Sequence, residues 1–219
     1  MNLAYTFSGF MVGLLVGITG VGGGSLMTPL LVFLFGFKPA VAVGTDLLFA
    51  AITKTSGVWV HHGKHGSVDW KIVGWLALGS IPFALITLFV LKHLMTVGKE
   101  TSGAITFTLG IALVLTACAL FVRSVLLNKA ATLKPIDDEH SNPENAARFK
   151  HFQIPATIFI GAVLGILVTL SSVGAGALGT VALLFLYPRM TTLKIVGTDL
   201  AHAIPVSYTH LTLPTTILV

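Results

Sequence analysis

Gly13-Leu-Leu-Val-Gly-Ile-Thr-Gly-Val-Gly-Gly-Gly-Ser-Leu-Met-Thr28 is the stretch on which the reading of this chain turns. Apolar residues flank a run of glycines, and no charged side chain occurs anywhere in residues 1–37. A second stretch matches it, Gly165-Ile-Leu-Val-Thr-Leu-Ser-Ser-Val-Gly-Ala-Gly-Ala-Leu-Gly-Thr180, inside an uncharged segment at 151–188. The offset, 165 minus 13, is 152 residues without a gap. Further on, Val43-Gly-Thr-Asp-Leu47 pairs with Val196-Gly-Thr-Asp-Leu200 at an offset of 153. Two matches in the same order are read as an internal duplication.

Composition sets the environment. Of 219 residues, 54% are hydrophobic and 10% charged, and the mean hydropathy is +0.92. A water-soluble domain carries about 25% charged residues. A soluble enzyme and a nucleic-acid binder are therefore excluded as readings. The net charge of +5 comes from scattered side chains, as in loops flanking membrane spans, not from a dense basic patch. Cys118 stands alone, so neither an intrachain disulfide nor a Cys-x-x-Cys metal site is available.

Six helical spans are expected, at 5–33, 39–60, 72–91, 103–127, 154–186 and 191–206. A straight helix over either uncharged segment would run to about 55 Å, against a hydrocarbon core of about 30 Å. Each must therefore break, tilt steeply or turn back. The expected organisation is a first repeat of about four spans at 1–127 and a polar, cytoplasmic linker at 128–152. A partial second repeat of about two spans follows at 153–206, and then a tail at 207–219. If all six spans cross, one side collects seven Lys and Arg and the other five, which favours the first side, with the linker, as cytoplasmic.

Duplicated apolar halves, each with a glycine break, are a pattern of secondary transporters. A broken helix in the bilayer leaves backbone N–H and C=O groups that are tolerated only against protein, water or ligand. The start of a half-helix offers N–H groups and a partial positive charge, and glycine permits close approach. Gly22, Gly23, Gly24 and Ser25 precede one apolar run, and Gly174 and Gly176 precede the other. An anion held where the two breaks meet is the functional expectation; close helix packing is the structural alternative.

The residues resemble a known family. Val21-Gly-Gly-Gly-Ser-Leu-Met-Thr-Pro29, Ala42-Val-Gly-Thr-Asp-Leu47, Thr53-Lys-Thr55, His61 and Val68-Asp-Trp70 resemble the first half of the sulfite exporter TauE/SafE membrane transporters. Val196-Gly-Thr-Asp-Leu-Ala-His-Ala-Ile-Pro205 resembles their second half. The likeness covers roughly 5–127 and 155–205. It implies about eight spans in two halves and transport of sulfite, an organosulfonate or a similar anion, with proton linkage in some members. Past Pro205 the likeness ends. The stretch from Ser207 to Val219 matches nothing in the first copy and reads as a non-native tail on a truncated second half.

Ionisable residues inside spans are the remaining site candidates. Asp46 and Asp199 occupy matching repeat positions, each preceded by a threonine, Thr45 and Thr198. Their charge opposes an anion at close range unless they carry protons, which suits proton–anion coupling; helix capping, or for Asp46 pairing with Lys54, is the structural alternative. Lys54 lies well inside a span and is a candidate anion ligand, a partner for Asp46 or a snorkelling side chain. His202, three residues after Asp199, shares its helix face and is a candidate to share its proton. His61, His62 and His65 lack the partners of a metal site, so no metal and no cofactor are expected. No Gly-x-Ser-x-Gly or His-Glu-x-x-His motif suggests an enzyme. The partners expected are a small anionic substrate and the lipid bilayer, not nucleic acid, with assembly into a homo-oligomer left open.

Overall fold

The computed structural model describes residues 3–19, 23–96, 102–132, 143–174 and 176–209, and all the regular structure among them is helical. In chain order the helices are α1 (Leu3–Thr19), α2 (Gly24–Pro29), α3 (Pro39–His65), α4 (Trp70–Thr96), α5 (Ser102–Thr132), α6 (Pro143–Ser171), α7 (Ala177–Leu186) and α8 (Thr192–Thr209). A π-helical turn, Leu30–Leu34, continues α2 directly after Pro29.

Four segments are long and apolar enough to cross a membrane: Pro39–Val60, Trp70–Leu94, Ser102–Val122 and Phe152–Ser171. Residues 5–33 hold the end of α1 at Thr19 and the start of α2 at Gly24, and residues 154–186 hold the end of α6 at Ser171 and the start of α7 at Ala177. The polar stretch at 128–152 is helical at both ends, since α5 runs to Thr132 and α6 begins at Pro143. Ala130, Ala131, Ala146 and Ala147 favour that extension. Residues 207–209 continue α8, and the rest of the tail lies outside the described residues.

Local chemistry fixes the helix ends. Pro39 opens α3, where a missing N–H costs nothing. Gly66 closes α3 at φ 55°, its N–H donating to the His62 carbonyl at 2.9 Å. Asp69 caps α4: its Oδ1 accepts from the backbone N–H groups of Lys71 at 3.1 Å and Ile72 at 3.4 Å. The Val68-Asp69-Trp70 turn is thus a helix start.

The frame is built on two kinds of packing. Val43 and Leu47 of α3, Ala84 of α4, Ile105 of α5, Val168 of α6 and Ala203 and Val206 of α8 form one buried cluster. Helices α4 and α6 instead meet backbone to backbone. A Cβ on Gly79 would collide with the Ile158 carbonyl, one on Gly161 with that of Leu76, and one on Gly165 with that of Ser80. Small residues four apart on α6 allow this approach, as is usual where lipid supplies no hydrophobic drive between helices. The outer faces carry exposed Phe10, Phe89, Phe107, Phe121 and Phe159, a surface suited to acyl chains. Trp59, Trp70 and Trp75 are exposed around the α3–α4 turn, as in an interfacial belt.

The close crossing makes a prediction. Gly161→Leu should lower the thermal stability of the detergent-solubilised protein by at least about 1–3 kcal/mol, an overpacking cost. Gly110→Ala on α5, where a Cβ meets nothing within 4 Å, should be neutral or mildly stabilising. Thermal melting of the two variants side by side checks this.

Candidate functional site

The 172–176 turn is built from conformations that few side chains adopt. Gly174 has φ 131° and Gly176 φ 138°, which explains glycine at both. Ser172 also lies at positive φ, 58°, and its N–H donates to the Val168 carbonyl at 2.8 Å, closing α6. The Gly174 and Gly176 carbonyls then accept from the N–H groups of Gly179 and Thr180, both at 3.1 Å, and α7 begins. On the other side the Gly23 carbonyl accepts from Leu26 at 3.0 Å and Met27 at 2.7 Å, starting α2.

Two buried carboxylates face these helix starts. Asp46 of α3 and Asp199 of α8 are 1% and 2% exposed. Thr28 donates to Asp46 Oδ2 at 3.0 Å, and Ser172 donates to the same oxygen at 2.5 Å. Thr180 lies 3.2 Å from Asp199 Oδ2 and also against the Gly176 carbonyl. Gly179 has no room for a Cβ because Asp199 Oδ1 occupies that space. At Gly23 a Cβ would lie 3.5 Å from Asp46 Oδ1. Asp199 therefore lies against the first turn of α7, where the helix dipole favours negative charge. In each carboxylate the second oxygen, Oδ1, is buried without a hydrogen-bond partner among the described residues.

Lys54, two turns beyond Asp46 on α3, interacts electrostatically with both carboxylates. The three groups line one cavity of about 520 Å³ enclosed by α1, α3, α8 and the starts of α2 and α7. Gly23, Gly176, Thr53 and Thr180 also face it. Val12, Met27, Phe49 and Leu200 add apolar surface to the same lining.

The structure distributes the sequence-derived candidates unevenly. Asp46, Asp199, Lys54, Gly23 and Gly176 line the cavity together. Gly24 and Ser25 lie in the first turn of α2, and Gly174 is buried in the α6–α7 turn against Val168; none of the three lines the cavity. Gly22 lies outside the described residues. Thr45 is exposed. Thr198 is buried and accepts the Asp69 N–H at 3.0 Å, tying α8 to the α3–α4 turn. His202 is buried with Nε2 2.8 Å from Ser80 Oγ, so its hydrogen bond runs to α4 rather than to Asp199. Thr53 and Thr55 bond back to carbonyls of their own helix. His62 packs edge-on against Trp70, ring centroids 5.5 Å apart.

Three residues at the site escaped the sequence reading: Thr28, Ser172 and Thr180. Thr28 and Thr180 close the two matching windows, so a signal was present. Ser172 carried none, because its partner is 126 residues away.

Apolar helices and a cavity that holds the buried Asp46 and Asp199 beside the starts of α2 and α7 suit a multi-pass helical membrane protein of the transporter class. The sequence model of the sulfite exporter TauE/SafE family matches residues 5–214, and the chain belongs to that family. It is 39% identical over 203 residues to the probable membrane transporter protein YjnA of Bacillus subtilis, covering 93% of this chain and 75% of that protein. A second B. subtilis protein, the probable membrane transporter protein YdhB, is 34% identical over 103 residues, 44% of this chain and 42% of its own length. The probable membrane transporter protein MJ0441 of Methanocaldococcus jannaschii is 32% identical over 90 residues, 39% and 33% of the two chains. No solved structure matches the chain.

The Ser172–Asp46 bond makes a prediction. Ser172→Ala should destabilise the protein by about 1–3 kcal/mol, the range for a buried hydrogen bond to a charged group. Thr45→Ala, at an exposed position, should stay within about 0.5 kcal/mol. Thermal unfolding in one detergent compares them.

Proposed function

We propose that this chain carries a small anion, sulfite or an organosulfonate, across the cytoplasmic membrane in step with protons. The observation that carries the reading is that Asp46, Asp199 and Lys54 line one cavity at the starts of α2 and α7. Fully ionised, these groups hold two negative charges and one positive, and an anion is repelled. One proton brings the set to neutrality. A second leaves the Lys54 ammonium as the net charge facing the anion. Protons therefore enter first and the anion second, and release runs in reverse. The glycine-started helices add oriented N–H groups to the same end of the cavity.

Duplication supports a carrier over a fixed pore. The segments α1–α3 and α6–α8 are taken as two copies of one unit, each with a glycine break. The Thr28–Asp46 and Thr180–Asp199 bonds fall at equivalent places, 152 residues apart for the threonines and 153 for the aspartates. Two such units hinged at a shared site suit alternating access.

Methanesulfonate is the appropriate probe because its charge does not change near neutral pH. In proteoliposomes its uptake should saturate and accelerate several-fold under an inward proton gradient. Lys54→Ala should reduce uptake more than tenfold. Asp46→Asn and Asp199→Asn should leave any remaining uptake indifferent to the gradient. Flux that neither saturates nor responds to the gradient would describe a channel and overturn the coupled reading.

A further inference from the structure

Helices α4, α6 and α8 run in one direction, and α3 runs against them. Leu76 and Ser80 of α4 meet Gly161 and Gly165 of α6 in that order. Ile72 of α4 packs with Ile195 near the start of α8, and Ala84 joins Ala203 and Val206 toward its end. On α3 the order is reversed: Val43 and Leu47 join Ala203 and Val206, whereas Val58 joins Ala201. Helix α7 turns back beside α6. Its Leu183 packs with Ile72 and Ile195. Its end returns to the start of α6, where Gln153 donates to the Leu186 carbonyl at 2.7 Å and Thr157 meets the Tyr187 hydroxyl at 2.8 Å. At 10 residues, α7 covers about 15 Å, half of a hydrocarbon core of about 30 Å. The α6–α7 hairpin therefore enters and leaves by one face.

That return changes which charges share a face. A full crossing by residues 154–186 would put Arg189 and Lys194 opposite Lys71, and the returning α7 puts them on its side. Apart from Lys54 the chain has twelve Lys and Arg. The face with the α3–α4 turn, the α5–α6 connection and the α7–α8 turn gains these two on top of seven, which makes nine. The face with Lys38 and the α4–α5 connection keeps three. A Lys and Arg excess marks the cytoplasmic face.

The same helix directions set the depths of the charged groups. A Cβ on Gly57 of α3 would lie 3.9 Å from Leu200, so Asp199 is nearly level with Gly57. Asp46 precedes Gly57 on α3 by eleven residues, which is about 16 Å toward the opposite face. Lys54 falls between the two carboxylates, nearer Asp199. Their partners divide in the same way. Asp46 takes hydrogen bonds from Thr28 of α2 and from Ser172 at the deep end of the α6–α7 hairpin, and Asp199 takes one from Thr180 of α7. Among the described residues no other charged side chain lines the cavity. His202, the titratable neighbour on α8, bonds Ser80 of α4.

We infer that Asp199 is the carboxylate reached from the cytoplasm and Asp46 the one reached from the opposite face, each exchanging its proton with its own compartment, with Lys54 between them. The proton role rests on the transport reading above; the sidedness does not.

Single cysteines in a Cys118→Ser background test it, labelled with a membrane-impermeant maleimide in right-side-out and in inverted membrane vesicles. Arg189→Cys should label in inverted vesicles only, and Lys92→Cys in right-side-out vesicles only. Asp199→Cys should react several-fold faster in inverted vesicles and Asp46→Cys several-fold faster in right-side-out ones. Should an aspartate variant fail to insert, Val196→Cys, one turn from Asp199, and Met27→Cys, next to Thr28, line the same cavity and give the comparison with both carboxylates kept. Labelling of Arg189→Cys and Lys92→Cys from a single face, or each from the face opposite to that stated, overturns the inference. Equal rates from both faces at the cavity positions also overturn it. Methanesulfonate uptake by the same vesicles separates the two readings: the expected labelling without uptake would remove the transport reading and the proton role and uphold the sidedness.

Discussion

A carboxylate removed from water inside a membrane must be compensated on the spot, and this chain holds two of them. Asp46 and Asp199 share two kinds of compensation, hydroxyl donors from a neighbouring helix or turn and the ammonium of Lys54, and Asp199 also lies against the first turn of α7. Each of these demands something of the backbone. Between α6 and α7 the chain turns through Gly174 and Gly176 at positive φ, where glycine carries no steric cost. Space for Asp199 against α7 requires Gly179 to have no side chain. The interruption of α6 and α7 and the burial of the aspartates are thus two sides of one constraint.

The compensation is also shared between distant parts of the chain. Asp46 takes one hydroxyl from its own side of the sequence, Thr28, and one from the far turn, Ser172. Lys54 acts on both carboxylates from α3. Removing Lys54 would leave both buried carboxylates without its positive charge, the most costly loss in the set. The exposed polar residues nearby, Thr45 among them, carry no such burden.

Much of this was legible in the sequence. Asp46, Lys54 and Asp199, singled out as ionisable residues inside apolar segments, line one cavity, and within the expected span 154–186 α6 ends at Ser171 and α7 begins at Ala177. The matched Gly-Thr-Asp motif misled in one respect, since it gave the threonines and aspartates equal weight. Thr198 serves the α3–α4 turn and Thr45 is exposed, so only the aspartates reach the site. His202 looked like a partner for Asp199 on helical spacing alone, yet Ser80, 122 residues away, takes its hydrogen bond. Such pairings are set by how helices pack, which local periodicity does not encode.

The backbone contact of α4 with α6 limits how the molecule can deform. Carbonyl against Cα leaves no flexible side chain between the two helices to absorb sliding, so they act as a single strut. Any change of shape in the molecule is therefore borne by segments outside that strut, while α4 and α6 move together as one body.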